Sequence, residues 1–329
     1  MTWKDKTVLV TGAGGFIGSH LVENLASQGA NVRAFVRYNS RADLGLLRFV
    51  NSDYLKNVEI VMGDLRDTSA VLTAMNNCET IFHLGALIAI PYSYVHPREV
   101  VETNIIGTLN VLEAARITKP VRVIHTSTSE VYGTAKFVPI TEEHPLQGQS
   151  PYSASKIGAD KIVESYHRSY GLPTVTVRPF NTYGPRQSAR AVIPTIITQA
   201  LTKDVIKLGE LSSTRDFTFV EDTVRGFLCA AESKDIEGRE INLGSKQEIS
   251  IGDLANTITQ IIGRDIAVTC EDDRLRPSKS EVFRLHADNS LADKLMNWQP
   301  LTSLPEGLTK TVSWIKENLE LYRVGKYQL

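Results

Sequence analysis

Two side chains able to move a hydroxyl proton stand four positions apart, at Tyr152 and Lys156. This spacing places both on one face of a helix. A phenol in water has a pKa of about 10, but it acts as a base at neutral pH when an ammonium group and a cationic ring lie close by. Thr128, which ends a Ser/Thr-rich strand upstream, is positioned to bond the same substrate hydroxyl. The set predicts proton removal from a hydroxyl group during hydride transfer.

A carboxylate adjoins this set in the segment Thr128-Ser129-Glu130. A new carbonyl acidifies the hydrogen on the neighbouring carbon, because the carbanion left behind is an enolate. Glu130 is a candidate base for that hydrogen. Ser129 is a candidate for relaying a proton, through a water molecule, to a departing hydroxyl. The segment therefore predicts chemistry beyond simple oxidation.

A glycine-rich turn near the N-terminus predicts a dinucleotide site. Gly12, Gly15 and Gly18 follow a β-branched run and open a helical pattern. Glycines permit a tight turn and close approach to a pyrophosphate, while the helix N-terminus offers free N–H groups and a partial positive charge. We expect the dinucleotide to bind here, with Phe16 and Ile17 at the start of the helix among its contacts.

The segment after the second predicted strand bears on the choice of dinucleotide. An acidic residue there would hold the ribose 2′-hydroxyl of NAD, but the chain has Arg37, then Tyr-Asn-Ser, then Arg41. Such donors suit a 2′-phosphate, so we expect NADP, with NAD as the alternative if both arginines are solvated surface residues. Asp64, after the third predicted strand, is a candidate acceptor for the adenine amino group.

These groups must be held by a scaffold, and the first 178 residues alternate β-branched runs with helical patterns. The predicted strands are Lys6–Val10, Asn31–Val36, Val58–Met62, Thr80–Leu84, Val121–Thr126 and Thr174–Arg178. This alternation predicts an α/β fold with a doubly wound parallel sheet of the Rossmann type. We expect residues 1–178 to form the dinucleotide-binding domain. Residues 179–329, with shorter elements, are expected to form mainly a smaller α/β substrate-binding domain, interleaved with the first, with the ligand in the cleft between them.

Composition argues against several classes of function. The chain has 329 residues with 36 basic and 37 acidic side chains, which gives no electrostatic case for binding nucleic acid or a membrane surface. The widely spaced cysteines Cys78, Cys229 and Cys270 form neither a disulfide framework nor a metal site, and the histidines have no metal-site spacing. No apolar run approaches the roughly 20 residues of a membrane helix. We expect a cytoplasmic protein without a metal.

With these motifs in place, the sequence resembles the extended short-chain dehydrogenase/reductase family over essentially its whole length. The markers are Thr-Gly-Ala-Gly-Gly-Phe-Ile-Gly at 11–18, Gly63-Asp64-Leu65, His83-Leu84-Gly85-Ala86, Asn104, the Tyr152/Lys156 pair, Arg178-Pro179-Phe180-Asn181-Thr182-Tyr183-Gly184-Pro185 and Arg215-Asp216-Phe217. Such a set is typical of nucleotide-sugar enzymes.

The resemblance also implies roles for individual residues. It places Leu65 and Leu84 against the dinucleotide. On the substrate side it implies that Asn181 binds the diphosphate, that Arg215 and Arg276 contact phosphate or nucleotide, and that Val192 is a further contact. It implies a homodimer built on a four-helix interface, although internal packing explains the apolar helix faces equally.

The segment Thr128-Ser129-Glu130 bears on the subfamily. Nucleotide-sugar 4,6-dehydratases typically carry Thr-Asp-Glu here, UDP-glucuronate decarboxylases carry Thr-Ser-Glu, and 4-epimerases usually lack the glutamate. Over residues 149–160, 187–194 and 275–282 the chain is more similar to 4,6-dehydratases of the legionaminic-acid and N-acetyl-quinovosamine type. The resemblance therefore implies a 4,6-dehydratase acting on UDP-GlcNAc or a related nucleoside-diphospho-hexose.

The expected mechanism begins with Tyr152 taking the proton from O4 of the sugar while H4 leaves as hydride. Lys156 keeps the phenol acidic and holds the nicotinamide ribose, and Glu130 removes H5. Loss of the C6 hydroxyl and return of the hydride to C6 give a 4-keto-6-deoxy sugar, with a tightly bound dinucleotide unchanged. Because Ser129 stands where dehydratases have an aspartic acid, other functions stay open: a UDP-glucuronate decarboxylase, a UDP-sugar 4-epimerase, or a non-catalytic NAD(P)-binding sensor or scaffold.

Overall fold

The computed structural model of the chain describes residues 3–271, 274, 277 and 279–322. Its strands are β1 (Thr7–Thr11), β2 (Asn31–Arg37), β3 (Val58–Gly63), β4 (Thr80–His83), β5 (Arg122–Thr126), β6 (Thr174–Pro179), β7 (Asn181–Tyr183), β8 (Val205–Leu208), β9 (Thr214–Phe219), β10 (Glu240–Leu243), β11 (Glu248–Ser250) and β12 (Ala267–Cys270). Within this described part, seven strands form one parallel sheet in the order β3-β2-β1-β4-β5-β6-β10. This order is that of a Rossmann sheet extended by one strand.

Helices cover both faces of this sheet. They are α1 (Phe16–Ser27), α2 (Ser52–Leu55), α3 (Thr68–Met75), α4 (Ile90–Val95), α5 (Pro97–Val101), α6 (Gly107–Thr118), α7 (Pro151–Tyr170), α8 (Val192–Thr202), α9 (Val220–Glu232), α10 (Ile251–Ile262), α11 (Ser290–Met296) and α12 (Leu304–Glu317). Short 3₁₀ turns lie at Gly45–Phe49, Ser129–Tyr132 and Leu319–Leu321, and a π-helical turn lies at Glu102–Ile106.

The strand alternation explains why both faces are covered. In β1, Val8 and Val10 pack into a core with α1 and α9, whereas Leu9 points to the opposite face and packs with α3, α6 and α7. Successive side chains of a strand point to opposite faces, so a strand apolar at every position needs helices on both sides. The α/β doubly wound prediction is confirmed, and each of the predicted strands is present to within one or two residues.

The second half of the chain both joins the main sheet and forms smaller sheets. β10 pairs with β6 in parallel, although it comes from beyond residue 178. In the described part, β11, β9 and β7 form a three-stranded sheet, and β12 pairs with β8. The division at residue 178 stays a prediction. The pairing of β10 with β6 means that the second half of the chain contributes a strand to the sheet of the first half. None of the helices described is long and apolar enough to cross a membrane.

Candidate active site

The glycine-rich turn after β1 has the shape of a phosphate cradle. Gly15 caps α1 without a side-chain hydrogen bond, and the first turn of α1 carries no acidic residue. A Cβ on Gly12, whose φ is +68°, would lie 2.8 Å from the backbone nitrogen of Gly85, and a Cβ on Gly18 would lie 2.2 Å from the Gly12 carbonyl oxygen. Only glycine fits at these positions, and the helix N-terminus stays open to an anion. The turn therefore fits the diphosphate of a dinucleotide.

The residues predicted to flank the dinucleotide gather around this turn. A Cβ on Gly12 would also approach the Leu84 carbonyl carbon to 2.9 Å, and Leu65 packs against Gly85. Phe16 and Ile17 begin α1 and are partly buried against the core. The turn thus brings segments from the ends of β1, β3 and β4 to one edge of the sheet, where ligands of such folds bind.

Arg37 and Asp64 lie side by side, but each is engaged with another side chain. Arg37 ends β2 opposite Gly63, and its guanidinium lies 3.3 Å from a carboxylate oxygen of Glu99. Asp64 is bonded by Nε and NH2 of Arg66 at 3.0 and 2.7 Å. Both residues therefore lie at the ends of adjacent strands, and their contacts with a dinucleotide remain predictions.

Tyr152 and Lys156 lie on the first turns of α7. The helix starts at Pro151, and Ser150 and Ser153 form a reciprocal capping box that fixes this end. Both side chains are buried, with 7% and 4% of their surface exposed. Burial protects them from water and sets their acidity, so their position at the edge of the sheet suits proton transfer.

The second catalytic segment forms a 3₁₀ turn facing this helix. Thr128 caps the turn Ser129–Tyr132, and its hydroxyl accepts a hydrogen bond from the Glu130 backbone at 3.2 Å. The Thr128 side chain also lies close enough to the Tyr152 hydroxyl to influence its acidity, and the Glu130 charge acts on the same phenol. The structure thus brings Thr128, Glu130 and Tyr152 together, as predicted. The Glu130 carboxylate has no hydrogen bond or ion pair with other described residues.

Burial and neighbouring charges shift the pKa values of Tyr152 and Lys156. Burial raises the pKa of Tyr152 above its ordinary value, the charges of Glu130 and Asp160 add to this, and the Thr128 hydrogen bond opposes it. Burial lowers the pKa of Lys156 to about 8, against the opposite influence of Asp160. The protein alone therefore holds Tyr152 as a phenol, so a nearby positive charge is needed to make it a base.

A buried charged cluster behind Lys156 was missed by reasoning from the sequence. Asp160, fully buried on α7, accepts from Ser127 Oγ at 2.7 Å and from Arg178 NH2 at 3.1 Å, and His125 Nε2 lies 3.1 Å away. Burial opposes ionisation of Asp160, but the His125 hydrogen bond and the charges of Arg178, His125 and Lys156 bring its pKa down to about 2. Asp160 is thus a fixed negative charge on the buried face of α7, one helical turn from Lys156.

A sequence signal for this cluster existed. Asp160 follows Lys156 by one helical turn, so Tyr152, Lys156 and Asp160 share a face of α7. Arg178 lies in a strand that is otherwise apolar or hydroxyl-bearing, and a buried charge there requires a partner. The two observations together would have predicted the ion pair between Asp160 and Arg178.

The π-helical turn places Asn104 beneath the loop after β4. Its side chain accepts from the Leu87 backbone nitrogen at 2.8 Å and donates to the Leu87 carbonyl and to Ser155 Oγ, both at 2.9 Å. Asn104 therefore ties that loop to α7, next to Lys156. A π-helical turn at such a position is typical of functional sites.

The predicted substrate residues fall on the strands and helix that follow β6. Asn181 on β7 donates to the Asp216 carbonyl on β9 at 3.3 Å, and the neighbouring Arg215 is buried and pairs with Glu281 at 3.1 Å. Val192 begins α8 and is half-buried. Asn181 and Arg215 thus lie on adjacent strands. Arg276 lies outside the described residues. In the part of the chain that is described, His, Cys, Asp and Glu side chains form no group able to hold a metal ion.

The chain is similar in sequence and in structure to known nucleotide-sugar enzymes. The sequence profile of the GDP-mannose 4,6 dehydratase family matches residues 9–311. A trifunctional enzyme of Arabidopsis thaliana, which includes a UDP-glucose 4,6-dehydratase, is 33% identical over 97% of the chain. The chain spans about half of that relative, 48% of its length.

Two further relatives match over nearly their full length. The UDP-glucose 4-epimerase of Mycolicibacterium smegmatis is 34% identical over 94% of the chain and 98% of the epimerase. The crystal structure of a dTDP-glucose 4,6-dehydratase from Streptomyces venezuelae with NAD bound superposes with a TM-score of 0.86, at 29% identity, over 96% of the chain and 99% of that structure. Similar proteins thus include both dehydratases and epimerases.

Proposed function

The chain belongs to the GDP-mannose 4,6-dehydratase family of nucleotide-sugar enzymes, and from that membership we propose that it is itself a nucleotide-sugar 4,6-dehydratase. We propose UDP-GlcNAc or a related nucleoside-diphospho-hexose as the substrate and a 4-keto-6-deoxy sugar as the product. The observation that carries the proposal is the Glu130 carboxylate beside Tyr152, because a 4-epimerase needs no base at C5.

In the proposed reaction, Tyr152 and Glu130 each carry out one proton transfer. Tyr152, beside Thr128, takes the proton from O4, and we assign to the Lys156 ammonium, one helical turn away on α7, the stabilisation of its phenolate. Glu130 then removes the proton from C5, which the 4-keto group has made acidic. A bound dinucleotide supplies the acceptor for the hydride from C4 and the donor that returns it to C6. We assign Asn181 to the substrate diphosphate, Arg215 and Arg276 to phosphate or nucleotide, and Val192 to a further substrate contact.

Ser129 leaves the departing C6 hydroxyl without a carboxylic acid to protonate it. General acid catalysis contributes about 10²–10⁴-fold in rate, so a replacement is required. We propose that a water held by Ser129, or Glu130 after it has gained the C5 proton, supplies this proton. The Ser129 hydroxyl makes no hydrogen bond with other described residues, which leaves it available to a water.

For the dinucleotide we propose NADP or NAD, with Arg37 favouring NADP. The exposed guanidinium of Arg37 at the end of β2 supports a contact with a 2′-phosphate. The bound NAD of the Streptomyces venezuelae relative supports the alternative.

We also propose a homodimer formed through α6, α7 and the helical stretch before α6. Val101, Ile106 and Ile117 on this surface are 41%, 43% and 65% exposed, which supports a protein contact there. Light scattering during size-exclusion chromatography measures the mass directly, and a monomer at micromolar concentration contradicts the dimer.

A 4-epimerase is the second candidate function, because Ser129 replaces the dehydratase acid and an epimerase is among the similar proteins. Incubation of the purified protein with UDP-GlcNAc, UDP-glucose, GDP-GlcNAc and UDP-glucuronate, each separately, tests the proposal by product mass. A dehydratase removes the mass of one water from its substrate. Unchanged mass with inverted C4 identifies an epimerase, and loss of CO₂ from UDP-glucuronate identifies a decarboxylase.

A further inference from the structure

The corner where β2 and β3 end is densely charged. Arg37 is the last residue of β2, and Asp64 directly follows Gly63, its register partner on β3. Arg66 binds Asp64, while Glu99 reaches the corner from α5 and lies 3.3 Å from the Arg37 guanidinium. A carboxylate from a distant part of the chain therefore stands beside the arginine expected to bind a 2′-phosphate.

Glu99 is the more firmly held member of this pair. The Tyr92 hydroxyl donates to Oε2 of Glu99, and the Tyr92 ring packs against His96 with 4.6 Å between ring centroids. The Glu99 side chain is 28% exposed, compared with 64% for Arg37. The Tyr92 hydrogen bond, followed by the charge of Arg37, also lowers the pKa of Glu99, so it is ionised at neutral pH. The corner thus holds a fixed negative charge.

That charge affects the two dinucleotides differently. In a Rossmann fold the end of β2 lies next to the ribose 2′-position. A 2′-phosphate paired with Arg37 brings about two negative charges close to Glu99, whereas NAD places a neutral hydroxyl there. Arg37 attracts the phosphate, and Glu99 both repels it and competes for the same guanidinium.

We propose that Glu99 is a specificity-determining residue for the dinucleotide, which weakens NADP binding relative to NAD so that the chain accepts both. The inference rests on the dinucleotide chemistry proposed above. The residue that distinguishes NADP from NAD would then lie on α5, and not in the segment after β2.

The test measures binding without any sugar substrate. Protein freed of bound dinucleotide is titrated with NADPH and with NADH by fluorescence, in the wild type and in Glu99→Gln, which keeps the Tyr92 hydrogen bond. The ratio of NADPH to NADH affinity is expected to rise about fivefold, the size of a partly exposed charge interaction. The rise should shrink in about 1 M salt, where the Debye length is about 3 Å.

Glu102→Gln is the matched control, because Glu102 lies one turn further along and pairs with Arg98 at 2.8 Å. Its affinity ratio should equal that of the wild type. An unchanged ratio in Glu99→Gln, or an equal rise in Glu102→Gln, overturns the proposal.

Arg37→Gln separates the possible failures. If it weakens NADPH binding while Glu99→Gln has no effect, the role of Glu99 is wrong and the dinucleotide site stands. If the wild type binds neither dinucleotide, the proposed cofactor itself is wrong. Because no sugar is present, a failure of the 4,6-dehydratase proposal cannot be mistaken for either result.

Discussion

At the residue scale, the proposed reaction assigns two proton transfers to two neighbouring groups, the Tyr152 phenol and the Glu130 carboxylate. Tyr152 is buried and its pKa is raised, so it exchanges a proton with a sugar hydroxyl only under a nearby positive charge. Glu130 is half-buried and has no ion-pair partner among the described residues, so its carboxylate is available to a carbon acid. The proposal therefore assigns the oxidation to Tyr152 and the elimination to Glu130.

Replacement of Glu130 tests this separation. Glu130→Gln should abolish elimination, with at least a 100-fold loss of turnover, while substrate still partly reduces the bound dinucleotide, because Tyr152 and Lys156 are intact. Absorbance at the reduced-nicotinamide band and product mass are read from the same mixture. Full turnover by Glu130→Gln contradicts the assignment.

The pH dependence of activity tests the role of Lys156. Burial places its pKa at about 8, so the ammonium that supports the phenolate is present below about pH 8 and lost above it. We expect kcat to fall as pH rises through about 8. Lys156→Arg, whose guanidinium keeps its proton, should be slower but should retain its activity to higher pH. A pH profile identical in shape for both proteins rules out Lys156 as the titrating group.

At the scale of elements, α7 is the helix that positions Tyr152 and Lys156 in the candidate site. Its capping box fixes the end that carries Tyr152, and Asp160 anchors its middle to β5 and β6 through Ser127 and Arg178. Asn104, on the π-helical turn, binds the helix from the other side through Ser155. Tyr152 and Lys156, the proposed catalytic pair, are therefore held on an anchored helix rather than on a loop.

Removal of the Asp160 carboxylate should release this anchor. In Asp160→Asn the fully buried Arg178 loses its charged partner on α7 but keeps its ion pair with Glu240, so we expect the free energy of unfolding to fall by about 1–3 kcal/mol. Urea denaturation measures the change. Glu164→Gln on the same helix is the control, since its pairs with Lys161 and Arg168 are partly exposed and contribute about 0–1 kcal/mol. Equal losses in both variants contradict an anchoring role.

The same elements show what the sequence can and cannot predict. The strands, the turn at Gly12 and the Tyr152/Lys156 pair are local patterns, and each formed where predicted, because spacing alone sets the face of a helix or strand. The Arg37–Glu99 and Asp160–Arg178 contacts join elements far apart in the chain. No pattern in the sequence pairs Arg37 with Glu99. The signal for Asp160 and Arg178 existed, but it requires a helix face and a buried strand charge to be considered together, and it was missed.

At the scale of the whole molecule, the sheet gathers segments from both halves of the chain at one edge. The ends of β1, β2 and β3 hold the glycine-rich turn and the charged corner of Arg37 and Asp64, while β5 leads into Thr128 and Glu130. The strands after β6 carry Asn181 and Arg215. Proximity of a hydride carrier, a proton acceptor and a carbon base at one edge is what an oxidation coupled to elimination requires.

The path of the hydride tests the central claim most directly. Substrate carrying deuterium at C4 is incubated with the protein in ordinary water, and the product is examined by NMR. A 4,6-dehydratase with the roles described here must deliver that deuterium to C6 of a 4-keto-6-deoxy sugar, with a solvent proton at C5. Deuterium returned to C4 of a sugar that keeps its 6-hydroxyl would contradict the account and make the protein an epimerase.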